Sequence, residues 1–158
     1  MNEETPIQVS LLTGFLGSGK TTLLNALLRH EAMAETAVLI NEFGDIGIDH
    51  SLVETVDPDM IELTTGCLCC TVQGDLTRAL REIFLKRVNK EIKPFQRVLI
   101  ESTGLADPAP VIQTLVNDPV IARRYSLDGI IATIDALHAP GQLARHEECK
   151  RQAAVADR

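Results

Sequence analysis

The sequence predicts an α/β fold in which helices flank both faces of a mainly parallel sheet. Short apolar runs of strand length alternate along the chain with amphipathic stretches of helix length. The chain of 158 residues is also the size of one ordinary domain with its own core. Since 45% of the residues are apolar and only 3% aromatic, aliphatic side chains must fill that core. We therefore treat residues 1–158 as one domain.

The order of the elements follows from the hydrophobic periodicity. Strands are predicted at residues 8–13, 36–40, 97–101 and 129–134. Helices are predicted at residues 20–30, 74–88, 110–116 and 140–156. The helical pattern continues from Glu147 to Arg158 without a capping glycine or a following strand. Because a doubly wound domain needs a further strand there, we expect the chain to be a piece of a longer protein.

A predicted phosphate loop lies between the first strand and the first helix, and it fits G-x-x-x-x-G-K-[ST] at every fixed position. Glycines there let backbone N–H groups point at phosphates, and the helix N-terminus adds roughly half a positive charge. Lys20 is expected to reach the β and γ phosphates, and the Thr21 hydroxyl to bind Mg²⁺. The motif predicts a three-layer P-loop NTPase fold. The predicted nucleotide-binding residues of this loop are Gly14, Gly17, Ser18, Gly19, Lys20, Thr21 and Thr22.

A second nucleotide element is predicted where the third strand ends. Glu101 would hold a Mg²⁺-bound water there, and Gly104 would offer its backbone amide to the γ-phosphate. A solvent-facing glutamate followed by a loop glycine is the alternative, which the nearby phosphate loop disfavours. Together with Lys20 and Thr21, these two residues are expected to carry catalysis.

A cysteine cluster stands in the long, weakly periodic segment 41–71. Cys67, Cys69 and Cys70 bring three thiols within four residues. Such a segment is usually functional or disordered, and its unusual residues favour function. Thiolates joined by a carboxylate or an imidazole suit Zn²⁺ or Cu⁺, with Glu42, Asp45 and His50 as further candidates. A redox thiol switch and inert thiols remain alternatives.

Four segments together resemble the CobW family of P-loop GTPases, and in particular its YjiA-like branch. The segments occur in the family's order and spacing at residues 12–22, 41–44, 66–70 and 101–108. The combination of a phosphate loop with a C-x-C-C loop is more specific than either part alone. This resemblance implies an N-terminal GTPase domain that couples GTP hydrolysis to the binding or delivery of zinc, cobalt or nickel. Because no arginine stands in an evident position to act on the phosphates, we expect slow intrinsic turnover.

The resemblance also assigns roles to residues. Nucleotide and Mg²⁺ roles fall on residues 17–22, Glu42 and Glu101, and the transition-metal role falls on Cys67, Cys69 and Cys70. One departure concerns Ile40, because YjiA-like members can carry a metal-binding glutamate there. Glu42 or Asp45 would then supply the carboxylate. The family's guanine-reading element has no counterpart in these 158 residues, and its place would follow Arg158, as would the C-terminal domain.

Charge and composition restrict the partners. The formal net charge is −7 and no basic cluster opposes it, which argues against nucleic acid. No apolar run reaches the length of a membrane span, so we expect a cytoplasmic protein. The expected partner is a client metalloprotein or a cofactor-synthesis enzyme, and homodimer formation stays open. A P-loop small-molecule kinase and a nucleotide-binding thiol redox sensor are the rival functions.

Overall fold

The structure, a computed structural model, describes residues 5–41 and 72–158 and contains a parallel four-stranded sheet. The strands are β1 (Ile7–Gly14), β2 (Thr36–Asn41), β3 (Arg97–Ser102) and β4 (Tyr125–Thr133). They lie in the order β2-β3-β1-β4, and every neighbouring pair is parallel. The carboxyl ends of the two central strands, β1 and β3, therefore meet at one edge of the sheet.

Helices connect the strands. They are α1 (Lys20–Leu28), α2 (Val72–Val88), α3 (Ala109–Asn117), α4 (Ala139–Arg145) and α5 (Glu147–Val155), and a short 3-10 helix at Glu31–Met33 follows α1. The prediction extended α1 to residue 30. It ends earlier because the His30 ring nitrogen accepts the Ala32 N–H at 3.2 Å and caps the 3-10 turn instead. None of the helices among residues 5–41 and 72–158 has the length and apolarity that a membrane crossing requires.

Aliphatic side chains pack on both faces of the sheet, as its parallel topology requires. The larger cluster joins one face to α2 and α3 through Leu80, Ile83 and Leu115. On the opposite face, Leu24 of α1 packs on a smaller cluster that includes Leu12 of β1. Helices thus flank both faces, and the predicted α/β fold is confirmed.

Strand β4 differs from the prediction because it begins at Tyr125 rather than at residue 129. Val9 of β1 pairs with Leu127, whereas Ser10 pairs with Gly129, so Asp128 is an extra residue in the ladder. Such a bulge interrupts the alternation of a strand without ending it. Because Asp128 and Gly129 interrupt the apolar pattern, the prediction placed the start of β4 at residue 129 and missed its first half.

The last predicted helix is in fact two helices, and it does not continue to the end of the sequence. His146 separates α4 from α5 with an extended backbone (φ −121°, ψ 116°). After α5, Arg158 donates its backbone N–H to the Ile130 carbonyl at 3.3 Å and accepts the Ala132 N–H at 3.0 Å. This is the hydrogen-bond pattern of a parallel neighbour. The last described residues therefore lie along the outer edge of β4. There they form hydrogen bonds with the backbone of β4, which they could not form if α5 continued by another turn.

Candidate functional site

The loop between β1 and α1, residues 15–19, turns sharply at its glycines. Gly14, Gly17 and Gly19 have φ values of +141°, +73° and +91°, a region that side chains rarely adopt. Gly19 caps α1 in the left-handed conformation, and the Ser18 N–H donates to the Phe15 carbonyl at 3.1 Å. The backbone therefore curls over the N-terminus of α1, where free N–H groups favour an anion.

Lys20, the first residue of α1, reaches back into this loop. Its Nζ donates to the carbonyl oxygens of Gly14 at 2.9 Å and Phe15 at 3.2 Å, and the residue is only 9% exposed. Burial lowers the pKa of Lys20, and the nearby carboxylate of Glu101 partly offsets that decrease. The ammonium group is thus held ready inside the loop by acceptors that a phosphate oxygen could replace.

The buried Lys20 predicts a pH dependence of stability. Because its folded pKa lies below the usual 10.5, the unfolded chain holds more protons at alkaline pH. The free energy of unfolding without nucleotide should therefore contain a Lys20 contribution that rises with pH from the lowered pKa up to 10.5. Urea unfolding of wild type and of Lys20→Met across this range isolates the contribution as the difference between the two slopes. A slope in Lys20→Met that equals or exceeds the wild-type slope would contradict it.

Glu101 and Thr21 lie together at the carboxyl edge of the sheet. The parallel register places Glu101 beside Leu12, near the end of β1, and the side chain is buried. The Thr21 hydroxyl donates to Glu101 Oε1 at 3.2 Å. A hydroxyl and a carboxylate side by side are oxygen ligands of the kind that Mg²⁺ prefers, so these residues fit the ion.

A chain of hydroxyl groups fastens the β1–α1 loop to the sheet. Ser18 Oγ lies 2.6 Å from Thr133 Oγ1, and Thr133 Oγ1 donates to the Thr13 carbonyl at 3.3 Å. Since each hydroxyl has one proton, Ser18 must donate to Thr133. The Ser102 hydroxyl donates to Thr13 Oγ1 at 2.9 Å on the other side. The sequence analysis missed Thr133, although a polar residue that ends a strand beside β1 is a recognisable signal.

Gly104 lies in the loop between β3 and α3, residues 103–108, and touches the β1–α1 loop. A Cβ atom on Gly104 would lie 2.7 Å from the Leu16 backbone nitrogen and 2.9 Å from its Cα. Only glycine allows the two loops this approach. The carbonyl of Gly104 in turn accepts a hydrogen bond from Gln152 of α5, a second residue that the sequence analysis missed.

The other predicted residues are placed as follows. Thr22 is exposed on α1, and Ile40 is half-buried in β2, where it packs against the smaller core cluster. Cys149 is buried on α5, and burial raises the pKa of its thiol. No group of three His, Cys, Asp or Glu side chains suited to a metal occurs within residues 5–41 and 72–158. The predicted residues that lie outside this part are Glu42, Asp45, His50, Cys67, Cys69 and Cys70.

Comparison with known proteins agrees with this architecture. The fold and the loop that precedes α1 define a P-loop nucleotide-binding protein, and the structure resembles the crystal structure of Zn(II)-bound YjiA GTPase from E. coli with a TM-score of 0.71. That match has 40% identity and covers 98% of this chain and 48% of the other. Residues 8–158 match the family described as CobW/HypB/UreG, nucleotide-binding domain. The chain belongs to this family, which confirms the resemblance noted in the sequence.

Curated relatives carry names that concern zinc. The zinc chaperone YjiA of Escherichia coli K12 is 43% identical over 153 residues, which are 97% of this chain and 48% of the relative. The zinc-regulated GTPase metalloprotein activator 1 of Schizosaccharomyces pombe is 39% identical over 136 residues, 82% of this chain and 32% of the relative. The chain thus spans about half the length of the first of these proteins and a third of the second.

Proposed function

We propose that this chain is the nucleotide-binding domain of a Mg²⁺-dependent GTPase that couples nucleotide state to the binding or delivery of a transition metal. The observation that carries the nucleotide part is the convergence of Lys20, Thr21 and Glu101 under one glycine-rich loop. The names of the relatives support GTP as the nucleotide and zinc as the metal, ahead of cobalt or nickel.

The chain's own groups suggest how a triphosphate would bind. Lys20 would exchange the carbonyls of Gly14 and Phe15 for phosphate oxygens, while the loop N–H groups bind the rest. Thr21 and Glu101 would hold Mg²⁺, which neutralises charge on the phosphates. Lys20, Mg²⁺ and the helix dipole supply about +3.5 against roughly −4 on a triphosphate. The site therefore balances the ligand although the chain as a whole is acidic.

Turnover is proposed to be slow without a partner. Two observations support this: residues 14–22 contain no arginine, and the Arg124 guanidinium lies over the Phe84 ring, 4.0 Å from its centroid. P-loop GTPases without an arginine at the phosphates hydrolyse slowly. An external group would then accelerate the reaction.

The metal part of the proposal rests on the C-x-C-C loop. Cys67, Cys69 and Cys70 would bind the ion, and Glu42 or Asp45 would complete the site, since Ile40 has no ligating group. A thousandfold change in metal affinity needs about 4 kcal/mol of coupling, which exceeds the usual 1–3 kcal/mol. A client metalloprotein or cofactor-synthesis enzyme in the cytoplasm would therefore help to extract the metal. Homodimer formation is compatible with this scheme.

A Co²⁺ titration of the reduced chain tests the metal part. Thiolate-to-metal charge-transfer bands should appear, and their apparent affinity should differ between Mg-GTP and Mg-GDP. Cys69→Ser should weaken the bands, whereas Cys149→Ser should not, because Cys149 is buried on α5 outside the predicted loop. Competition with Zn²⁺ and Ni²⁺ ranks the metals.

The same titration can separate the two halves of the proposal. Absence of bands in a chain that binds Mg-GTP would remove the metal function and favour a redox role for the thiols. Equal Co²⁺ affinity in GTP and GDP would leave a metal-binding GTPase without coupling. Transfer of phosphate to an added metabolite instead of water would identify a kinase.

A further inference from the structure

Helix α5 contacts both loops at the proposed nucleotide site. At its N-terminal end, the His146 ring lies 4.6 Å from the Phe15 ring of the β1–α1 loop, measured between centroids. One turn further, the Arg151 guanidinium donates to Asp107 Oδ2 at 2.8 Å. Gln152 lies next to it and is 1% exposed. A change in the relative position of the two loops would therefore alter contacts of α5.

The Gln152 amide makes the most buried of these contacts. Its Nε2 donates to the carbonyl oxygens of Gly104 at 3.2 Å and Ala106 at 3.1 Å. The reverse orientation of the amide would place an oxygen against two carbonyl oxygens, so the geometry fixes the assignment. Both amide protons are therefore committed to the β3–α3 loop.

The amide oxygen of Gln152 is in the opposite situation. Oε1 is buried and has no hydrogen-bond partner among the described residues. An unsatisfied buried acceptor costs free energy, which a loop N–H could recover by moving onto it. A shift of the β3–α3 loop that brought one of its N–H groups onto Oε1 would therefore exchange the present bonds, made through the loop carbonyls, for a bond made through an N–H group.

The β1–α1 loop restricts where the β3–α3 loop can move. Gly104 already contacts the Leu16 backbone so closely that no methyl group fits between them. The Ser18–Thr133 hydrogen bond holds the β1–α1 loop against β4. A movement of Gly104 away from Leu16 would change the bond between the Gly104 carbonyl and Gln152, and this bond connects the loop to α5.

We infer that Gln152 is a positioning residue that sets the place of Gly104 at the nucleotide and transmits nucleotide state to α5. This inference rests on the proposed function, because it specifies how that site distinguishes GTP from GDP. The exposed Arg151 also connects α5 to the β3–α3 loop, through its bond to Asp107. The expected response to the nucleotide is a movement of α5. This helix ends two residues before Asp157, where the segment that lies along β4 begins.

Gln152→Leu tests the inference, because it keeps similar bulk and removes the hydrogen bonds. We expect the affinity for Mg-GDP to stay within about twofold of wild type, and that for a non-hydrolysable GTP analogue to fall about fivefold to tenfold. Hydrogen exchange should show the β3–α3 loop and α5 changing protection together between the two nucleotides in wild type. In Gln152→Leu the response of α5 should be lost. A merely structural role would not alter this ratio or this coupling.

Lys150→Ala is the matched control, since Lys150 is exposed on α5 and pairs only with Glu147 among the described residues. If Gln152→Leu does not fold, Arg151→Ala, at an exposed position, should lower the ratio of GTP to GDP affinity by about twofold to threefold. An unchanged ratio in a folded Gln152→Leu, or an equal change in Lys150→Ala, would overturn the inference alone. Absence of any nucleotide binding by wild type would overturn the proposed function and this inference with it.

Discussion

Lys20→Ala is expected to bind Mg-GTP at least about a hundredfold more weakly than wild type. Two charge-assisted hydrogen bonds to phosphate oxygens would be lost, each contributing about 1.5–3 kcal/mol. The fold should persist, because the ammonium group is buried at a cost that its lowered pKa reveals. Fluorescence titration with a labelled GTP and a thermal unfolding curve without nucleotide measure the two quantities.

The control for this experiment is again Lys150→Ala, which removes an exposed lysine and should bind GTP as wild type does. Lys20→Arg adds a second comparison, because it keeps the charge but puts a larger, planar guanidinium in place of the ammonium group that lies between the carbonyls of Gly14 and Phe15. Normal GTP affinity in a folded Lys20→Ala would refute the assignment of the β1–α1 loop as a phosphate site.

Gly14→Ala should reduce the free energy of unfolding by about 3 kcal/mol or more. Its Cβ would lie 2.3 Å from Thr133 Oγ1, 2.5 Å from the Thr133 carbonyl oxygen and 2.7 Å from Ser18 Oγ. Two of these atoms belong to the hydrogen bond that fastens the β1–α1 loop to β4. The residue also has φ +141°, which adds backbone strain. Urea unfolding without nucleotide measures the loss.

Gly17→Ala separates the cost of a strained backbone from the cost of a Cβ atom that is too close to its neighbours. Gly17 has φ +73°, but its Cβ would meet no described atom within 4 Å. The expected cost is therefore only about 1–2 kcal/mol, from the left-handed backbone. Equal losses in the two variants would show that backbone strain, and not the contact with Thr133, accounts for the requirement at Gly14.

The parts of the site that could be predicted are those encoded locally. The phosphate-loop motif occupies consecutive positions, and its strand and helix are visible in the periodicity around it. The neighbourhood of Thr21 and Glu101 was also predictable, because the helix that follows β1 begins at the same edge of the sheet where the adjacent parallel strand β3 ends. Their contact depends on topology alone and not on details of packing.

Contacts between distant segments were not predictable in this way. Ser18 and Thr133 are 115 residues apart, and Gln152 and Gly104 are 48 apart. A glutamine on a predicted helix gives no sign that both of its amide protons will be used by one loop. The break between α4 and α5 at His146 was not predictable for the same reason. The residues on either side of His146 have a helical pattern, and the extended backbone of His146 goes with a ring contact to the distant Phe15.

The path of the chain after α5 bears on self-association. An open strand edge offers unpaired backbone groups to any other chain, and proteins commonly block such edges. Here the backbone of Asp157 and Arg158 covers Ile130 and Ala132 on the outer side of β4, and the Asp157 carboxylate accepts the Ile130 N–H at 2.9 Å. A version that stopped at Val155 would leave these backbone groups of β4 unpaired, and unpaired groups of this kind are where a strand from another molecule can add.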